Sequence, residues 1–255
     1  MSARTGGTGT ARIVVSLALF LGGCGRLGFD SSLALDAETL AGDAALAPRD
    51  AASTDGSLDG TLACGSVGEV AKHFDGVPSP WWTPYAESPV TVAETNGELV
   101  VTLASSVGGT HYGGYASTCR YDMAGQRVYL RVVGTPRATP GAEQDFGLSA
   151  DGVGGANNFG FQIQNGELSA FTRLDDRVTH LTAAAFDPTG HRYLQLRETG
   201  GVTFWETSPD AVTWTVHATL ANPLPMTALK VVVAAGTWLP TADPGTARYG
   251  SIDYP

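Results

Sequence analysis

The chain has 255 residues, of which 25 are acidic and 15 basic, and a formal net charge of −10. Two of the basic residues are lysines, Lys72 and Lys230, and no segment carries the clustered positive charge that binding to nucleic-acid phosphates requires. Nucleic acid is therefore not predicted as a partner. The length is ample for one domain with a sizeable core but not for two full domains.

The N-terminal segment has the pattern of a bacterial lipoprotein signal. Arg4 and Arg12 precede a short apolar run from Ile13 to Leu21, which leads into the lipobox Leu21-Gly22-Gly23-Cys24. This run is much shorter than the about 20 apolar residues of a membrane-spanning helix. We predict a signal peptide over residues 1–23 and acylation of Cys24, which would anchor the protein to the bacterial cell envelope, at the outer membrane or cell surface. The alternative is an ordinary secreted protein in which Cys24 is incidental.

Residues 24–63 are predicted to form an acidic, flexible tether between this anchor and the folded domain. The segment is rich in Ala, Asp, Leu, Ser and Gly and shows no strand alternation. Its acidic residues are Asp30, Asp36, Glu38, Asp43, Asp50, Asp55 and Asp59. Their mutual repulsion favours an extended chain. A structural calcium ion is conceivable, but calcium loops need oxygen ligands at alternate positions around a glycine, and these acids are typically four or more residues apart. No cofactor or metal site is predicted.

Residues 64–255 show the pattern of one all-β domain. Four stretches alternate apolar and polar side chains, as half-buried strands do: Leu99/Val101/Leu103, Val128/Leu130/Val132, Phe159/Phe161/Ile163 and Val212/Trp214/Val216. Turn signals separate the strands: Asn96-Gly97, Asp151-Gly152, Asn165-Gly166, Asp187-Pro188-Thr189-Gly190 and Gly200-Gly201. No segment shows a helical period. The predicted fold is a two-sheet antiparallel β-sandwich of the jelly-roll type.

Two cysteines remain once Cys24 is assigned to lipidation. In the oxidising envelope compartment, Cys64 and Cys119 are expected to form a disulfide that ties the start of the domain to a later strand. A zinc site or a nucleophilic cysteine would need a further ligand or a base nearby. The five histidines are dispersed without ligand spacing: His73, His111, His180, His191 and His217.

Several short motifs in this domain resemble concanavalin A-like lectin and glucanase jelly rolls of the laminin-G and DUF1349 type. They are Phe74-Asp75-Gly76, Trp82, the segments 96–101, 191–197, 202–205 and 208–214, and the late apolar segment 231–236. The strongest piece is the hairpin at 193–214, where these families typically have a glycine at the position of Ala211. The resemblance covers nearly all of residues 70–255 and implies the fold. Function does not follow, because the fold hosts both sugar binders and glycosidases.

One strand bears on catalysis. Jelly-roll glucanases of this kind place a Glu-x-Asp-x-x-Glu run on one strand, so that alternation brings the carboxylates to one face. Here the segment is Glu143-Gln144-Asp145-Phe146-Gly147-Leu148. The first two carboxylates are correctly spaced, but the position of the proton donor holds Leu148, or Gly147 if the strand is unbulged. No catalytic residue is therefore predicted, and the two carboxylates are interpreted as solvated groups on a strand edge.

The outward faces of the strands supply the candidate ligand-binding residues. Sugars are bound by stacking on aromatic rings while their hydroxyls meet planar polar groups. Side chains of both kinds alternate with core residues and are predicted to line a glycan groove: Gln162, Phe171, Arg173, Tyr193, Gln195 and Trp205. The alternative is that this aromatic set packs against the second sheet or a covering loop. Trp81, Trp82 and Tyr85 carry the same ambiguity, with the core favoured for Trp82.

The function predicted from the sequence is an envelope-anchored glycan-binding or interaction module without catalytic activity. Its partners would be the membrane, through the lipid anchor, and a polysaccharide. Two alternatives remain: a glycoside hydrolase or lyase of the same fold, and a purely structural or assembly lipoprotein.

Overall fold

The computed structural model describes residues 66–152 and 154–254, which form two antiparallel β-sheets of seven strands each. The predicted all-β, two-sheet antiparallel sandwich is confirmed. Two 3-10 helices, Val67–Val70 and Met226–Ala228, are the only helices in this part of the chain, where no helix is long and apolar enough to cross a membrane. The predicted signal peptide, Cys24, the tether and Cys64 lie outside the described residues.

We call the two sheets the site sheet and the back sheet. In spatial order the site sheet contains β1 (Trp82–Ala86), β4 (His111–Ser117), β13 (Lys230–Thr237), β6 (Ala142–Ser149), β7 (Asn158–Gln164), β8 (Glu167–Leu174) and β9 (Arg177–Ala185). The back sheet contains β12 (Thr215–Ala221), β11 (Val202–Ser208), β10 (Tyr193–Thr199), β5 (Arg127–Gly134), β14 (Thr246–Asp253), β3 (Glu98–Thr102) and β2 (Thr91–Thr95).

The core lies between the two sheets and is built by strand alternation. Each strand with a period-two pattern turns its apolar set inward. Among the fully buried side chains are Leu99 and Val101 of β3, Val128 and Leu130 of β5, Phe159 and Phe161 of β7, and Trp205 of β11. Trp82 is also buried in the core, and its indole N–H donates to the carbonyl of Val70 at 3.1 Å. The inward-facing sets of β3, β5 and β7 agree with the alternation in the sequence.

Three of the predicted turns form tight hairpins. Asn96-Gly97 joins β2 to β3, Asn165-Gly166 joins β7 to β8, and Gly200-Gly201 joins β10 to β11. All six residues have positive φ angles between 51° and 84°. This is the backbone conformation that two-residue hairpin turns need and that Asn and Gly adopt at low cost.

The last predicted strand begins later than the sequence pattern suggested. Val212 and Trp214 precede β12, and Val212 is 80% exposed. The carboxylate of Asp210 accepts hydrogen bonds from the backbone N–H of Val212 and Thr213 at 2.9 and 2.8 Å. This side chain holds the segment in a turn, which is a known alternative to sheet pairing for Asp. The prediction of a strand through Val212/Trp214/Val216 was wrong for its first half.

The first described residues are fastened to both sheets by a buried ion pair. Lys72 pairs in a bridge with Ile252 of β14 and is 5% exposed. Its ammonium lies 2.9 Å from the carboxylate of Glu94 on β2. That carboxylate also accepts a hydrogen bond from the hydroxyl of Tyr115 on β4, at 2.8 Å. One network therefore connects the entry segment to a strand of each sheet.

Candidate functional site

The candidate site is built around β6, a central strand paired with β13 on one side and β7 on the other. Its register with both neighbours is continuous from Glu143 to Ser149. Phe146 and Leu148 point into the core, so Glu143, Asp145 and Gly147 project from the opposite, outer face of the site sheet.

This register decides between the two alternatives for the third carboxylate position and corrects the interpretation of the first two. Because the strand is unbulged, the third position of the carboxylate run is Gly147, and Leu148 is a core residue with 1% exposure. The interpretation of Glu143 and Asp145 as solvated groups on a strand edge was wrong. β6 has a partner on each side, and Glu143 is only 5% exposed.

Several side-chain donors hold Glu143. The hydroxyl of Tyr112 on β4 donates to its Oε1. The amides of Gln162 and Gln164 on β7 donate to its Oε2 at 3.2 and 3.4 Å. Burial raises the pKa of Glu143, while the hydrogen bond from Tyr112 and the charge of Arg173 act in the opposite direction. The carboxylate is thus oriented by side chains of β4 and β7, which lie in the sheet on opposite sides of β6.

Asp145 is less well satisfied. Its Oδ1 is buried and has no hydrogen-bond partner among the described residues. Burial and the neighbouring charge of Glu143 raise its pKa well above the usual range, and the positive charge of Arg173 offsets part of this shift. Two carboxyls two residues apart on one strand therefore share an environment that disfavours ionisation of both.

Aromatic side chains surround the carboxylates and complete a cleft on the outer face of the site sheet. Tyr85 of β1, Tyr112 of β4 and Phe171 of β8 line it together with Gln162 and Arg173. Burial raises the pKa of both tyrosines above the usual value, so both hydroxyls stay protonated at neutral pH. The cleft thus combines ring surfaces with hydroxyl, amide and carboxyl groups, as a sugar site requires.

Two facing glycines form part of the sheet beside the carboxylates. Gly147 of β6 is directly opposite Gly160 of β7. A Cβ atom on Gly147 would lie 2.6 Å from the carbonyl oxygen of Phe159, and one on Gly160 would collide with the carbonyl of Phe146. Since real Cβ atoms do not approach backbone this closely, neither position accepts a side chain without movement of the strands.

The structure divides the six predicted ligand-binding residues into three groups. Gln162, Phe171 and Arg173 lie together on β7 and β8 and line the cleft. Tyr193 and Gln195 lie on β10, on the outer face of the back sheet, so they cannot share a groove with the first group. Gln195 is 1% exposed, and its amide donates to Glu206 at 2.6 Å. Placing Tyr193 and Gln195 in the groove was wrong.

Trp205 was also wrongly placed in the groove. Its side chain is fully buried, and its ring packs edge-on against Phe159 with the centroids 5.7 Å apart. Its indole N–H donates to the carbonyl of Gly160 across the core at 2.8 Å. The alternation in β11 is the reason: Trp205 is opposite Leu196 of β10, a core residue, and therefore points inward.

Tyr112 was missed by the sequence analysis, and Tyr85 was left undecided. Tyr85 lies on β1 and Tyr112 on β4, and both strands are distant from β6 in the sequence. The segment His111-Tyr112-Gly113-Gly114-Tyr115 has strand-like alternation, which could have assigned the tyrosines to opposite faces. Which face meets the carboxylates depends on the order of strands in the sheet, and that order is not local information.

No cluster of three or more His, Cys, Asp or Glu side chains in residues 66–152 and 154–254 is placed to hold a metal ion. The proposed disulfide partner Cys119 is buried. Since Cys64 is outside the described residues, its pairing with Cys119 stays a prediction.

No protein-family model matches the chain, and no curated protein matches it in sequence. Solved structures do resemble it. The β-glucanase of Bacillus licheniformis superposes with a TM-score of 0.54 over 72% of this chain and 96% of its own, at 14% identity. The laminarinase of Rhodothermus marinus gives a TM-score of 0.53 over 72% and 94%, at 8% identity.

A glycosyl hydrolase family protein from Mycobacterium fortuitum has a TM-score of 0.53 over 72% of this chain and 97% of its own, at 15% identity. At such low identities the likeness concerns the fold and not the activity. The chain has a concanavalin A-like jelly-roll fold, as these structures do.

Proposed function

We propose that the protein binds a polysaccharide in the cleft on the site sheet and does not cleave it. The observation that carries this proposal is the composition of the outer face of β6, where Glu143 and Asp145 are followed by Gly147. Several side-chain donors orient Glu143, and Tyr85, Tyr112 and Phe171 surround the pair. These groups can bind hydroxyls and stack on sugar rings.

Hydrolysis of a glycosidic bond needs a proton donor for the leaving oxygen in addition to a second carboxylate. The third outward position of β6 provides no side chain. The close approach of the Phe159 carbonyl to Gly147 also leaves no room for one. The same strand therefore supports recognition of a sugar better than its cleavage.

We also propose that a lipid on Cys24 anchors this domain to the bacterial cell envelope, with residues 24–63 as the tether. The sequence pattern of residues 1–24 supports this placement. A tethered binding domain would hold a polysaccharide at the cell surface.

The test of binding is a glycan array probed with the purified full chain, followed by measurement of affinity for the polysaccharides retained. We expect binding of at least one polysaccharide and a loss of about 10-fold or more in Phe171→Ala, which removes a ring surface from the cleft. A matched control is Tyr193→Ala, which removes a ring from the opposite sheet. An array without any retained glycan would contradict the proposal and favour a structural role.

A glycoside hydrolase remains the second candidate, because burial raises the pKa of both Glu143 and Asp145. A carboxyl with a raised pKa is the type of group that serves as a general acid. Release of reducing ends from a retained polysaccharide, abolished by Asp145→Asn or Glu143→Gln, would establish this activity. Unchanged polysaccharide after long incubation would support binding alone.

A further inference from the structure

Arg173 is a buried cation whose charge acts on Glu143 and Asp145, although it forms an ion pair with neither. The residue is 6% exposed and lines the cleft. Its Nε has no hydrogen-bond acceptor within the described part of the chain, and none of the ion pairs found there includes it. A buried guanidinium normally has carboxylates or carbonyls against its N–H groups, because removal of the charge from water is costly. At least the Nε–H of this guanidinium is a donor without an acceptor among the described residues.

A second cation lies in the same row as Arg173, where a row is a line of residues directly opposite one another on neighbouring strands. Arg173 is opposite Asn158 of β7, Asn158 is opposite Ser149 of β6, and Ser149 is opposite Lys230 of β13. Val231 points into the core, so Lys230 projects from the outer face like Arg173. Its Cδ would lie 3.6 Å from a Cβ on Gly152, a residue that lines the same end of the cleft.

Acidic groups close to this row are already engaged. The carboxylate of Asp151 accepts hydrogen bonds from the backbone and side-chain N–H groups of Asn157, at 2.8 and 3.1 Å. Along β6, the row of Asp145 is four residues from the row of Ser149, or about 13 Å at 3.3 Å per residue. The row of Glu143 is two residues further away. The backbone positions of the carboxyls and of the cations therefore lie toward different ends of the cleft, although the Arg173 guanidinium still comes close enough to lower the pKa of Glu143 and Asp145.

We infer that the cation end of the cleft, formed by Arg173 and Lys230, binds an anionic group of the polysaccharide, a carboxylate or a sulfate ester. The planar guanidinium can donate two parallel hydrogen bonds to such an oxyanion, and the ammonium adds a point charge. The carboxyl end would meet hydroxyl groups of neighbouring sugar units. This inference rests on the proposed polysaccharide binding and specifies the class of polysaccharide.

The test compares three polymers on the purified full chain: polygalacturonate, the same polymer after chemical reduction of its carboxyl groups, and a sulfated galactan. We expect at least about 10-fold tighter binding of one anionic polymer than of the reduced, neutral one. The anionic polymer that binds identifies the oxyanion as carboxylate or sulfate. Binding that weakens with salt for the anionic polymer alone would agree with charge recognition.

Variants then locate the effect. Arg173→Met and Lys230→Met should each weaken binding of the anionic polymer by roughly 10-fold or more, with little change for the neutral polymer. The matched control is Arg131→Met, which removes an exposed cation from β5 of the back sheet. If the melting temperature shows that Arg173→Met does not fold, binding by Lys230→Met still decides the result, because Lys230 is partly exposed.

Three outcomes would contradict the inference, and they separate it from the proposed function. Equal affinity for the charged and the reduced polymer overturns the anionic subsite but leaves polysaccharide binding intact. Preference for the anionic polymer that neither Arg173→Met nor Lys230→Met reduces also overturns it, and Arg173 is then only a counter-charge for the two carboxyls. Absence of binding to these polymers and to every neutral glycan of the array overturns both proposals.

Discussion

Trp205 joins the two sheets through the core. Its ring packs against Phe159 of β7, and its N–H reaches the carbonyl of Gly160 on the same strand. The glycine at 160 is one of the pair that lies beside the carboxylates of the cleft. A buried residue of the back sheet thus supports the strand on which the site depends.

The first prediction concerns this residue. We expect Trp205→Ala to lower the free energy of unfolding by about 3–5 kcal/mol, because it leaves a large cavity and an unpaired carbonyl. Trp205→Phe should cost less, since it keeps most of the ring. Thermal unfolding followed by near-UV circular dichroism measures both. If Trp205→Ala melts like the wild type, the burial of the indole would be contradicted.

The second prediction concerns the pH dependence of Asp145. Its pKa is higher in the folded chain than the ordinary value of about 3.9. At a pH between the ordinary pKa and the raised pKa, the folded state therefore binds more protons than the unfolded state. The free energy of unfolding therefore falls as the pH rises through this window. Asp145→Asn, which cannot ionise, should raise the melting temperature at about pH 7, with a gain that shrinks as the pH is lowered toward about 4.

Glu143→Gln is the matched comparison for this measurement. Glu143 accepts hydrogen bonds from several side-chain donors, whereas Oδ1 of Asp145 accepts none among the described residues. Burial raises the pKa of Glu143 as well, so Glu143→Gln removes a similar cost of ionisation but also disrupts hydrogen bonds, and its gain at about pH 7 should be smaller than that of Asp145→Asn. A gain for Asp145→Asn that is the same at both pH values would show that ionisation of Asp145 is not the cause.

At the scale of single elements, the sequence was informative where local chemistry decides. Alternation identified the inward faces of β3, β5 and β7, and Asn-Gly and Gly-Gly pairs marked the hairpins. The pattern failed before β12, where the side chain of Asp210 competes for backbone N–H groups that a strand would use. Apolar alternation alone does not distinguish a strand from a turn held by one such carboxylate.

The third prediction concerns the same turn. Ala211 has a φ of 61°, where the resembling families typically have glycine. Because a side chain with a Cβ is strained in this conformation, Ala211→Gly should raise the free energy of unfolding by about 1 kcal/mol. Chemical denaturation measures the change. Ala183→Gly on β9, an extended and exposed position, is the control and should lose about 0.5–1 kcal/mol.

The fourth prediction concerns the paired glycines of β6 and β7. Gly160→Ala should lower the free energy of unfolding by about 1–3 kcal/mol or more, because the added methyl group meets the Phe146 carbonyl and the strands must separate. Loss of amide hydrogen-exchange protection in β6 and β7 would locate the damage. As a control, Gly108→Ala places a methyl group in open space and should leave stability nearly unchanged.

At the scale of the whole molecule, the candidate site depends on strand order more than on any motif. Gln162, Phe171 and Arg173 come from adjacent hairpin strands, and their shared face could be predicted from alternation. Tyr193 and Gln195 have the same outward alternation but belong to the other sheet. Assigning strands to sheets requires the long-range pairing of β6 with β13 and of β5 with β14, which no local pattern contains.

The last prediction concerns where the molecule resides. If residues 1–24 form a lipoprotein signal, Cys24→Ser removes the thiol that would be acylated, and the product should remain an uncleaved precursor or become soluble. In cells grown with labelled palmitate, the wild-type protein should incorporate the label and the variant should not. Separation of membranes from soluble fractions provides the second measurement, since two or more acyl chains hold a protein at a membrane and the variant would carry none.

The folded domain should be unaffected, because Cys24 precedes the sandwich by about 40 residues. The variant should therefore keep the wild-type melting temperature and polysaccharide affinity. Equal membrane fractions for both proteins, without label in either, would contradict the anchor while leaving the binding function of the cleft untouched.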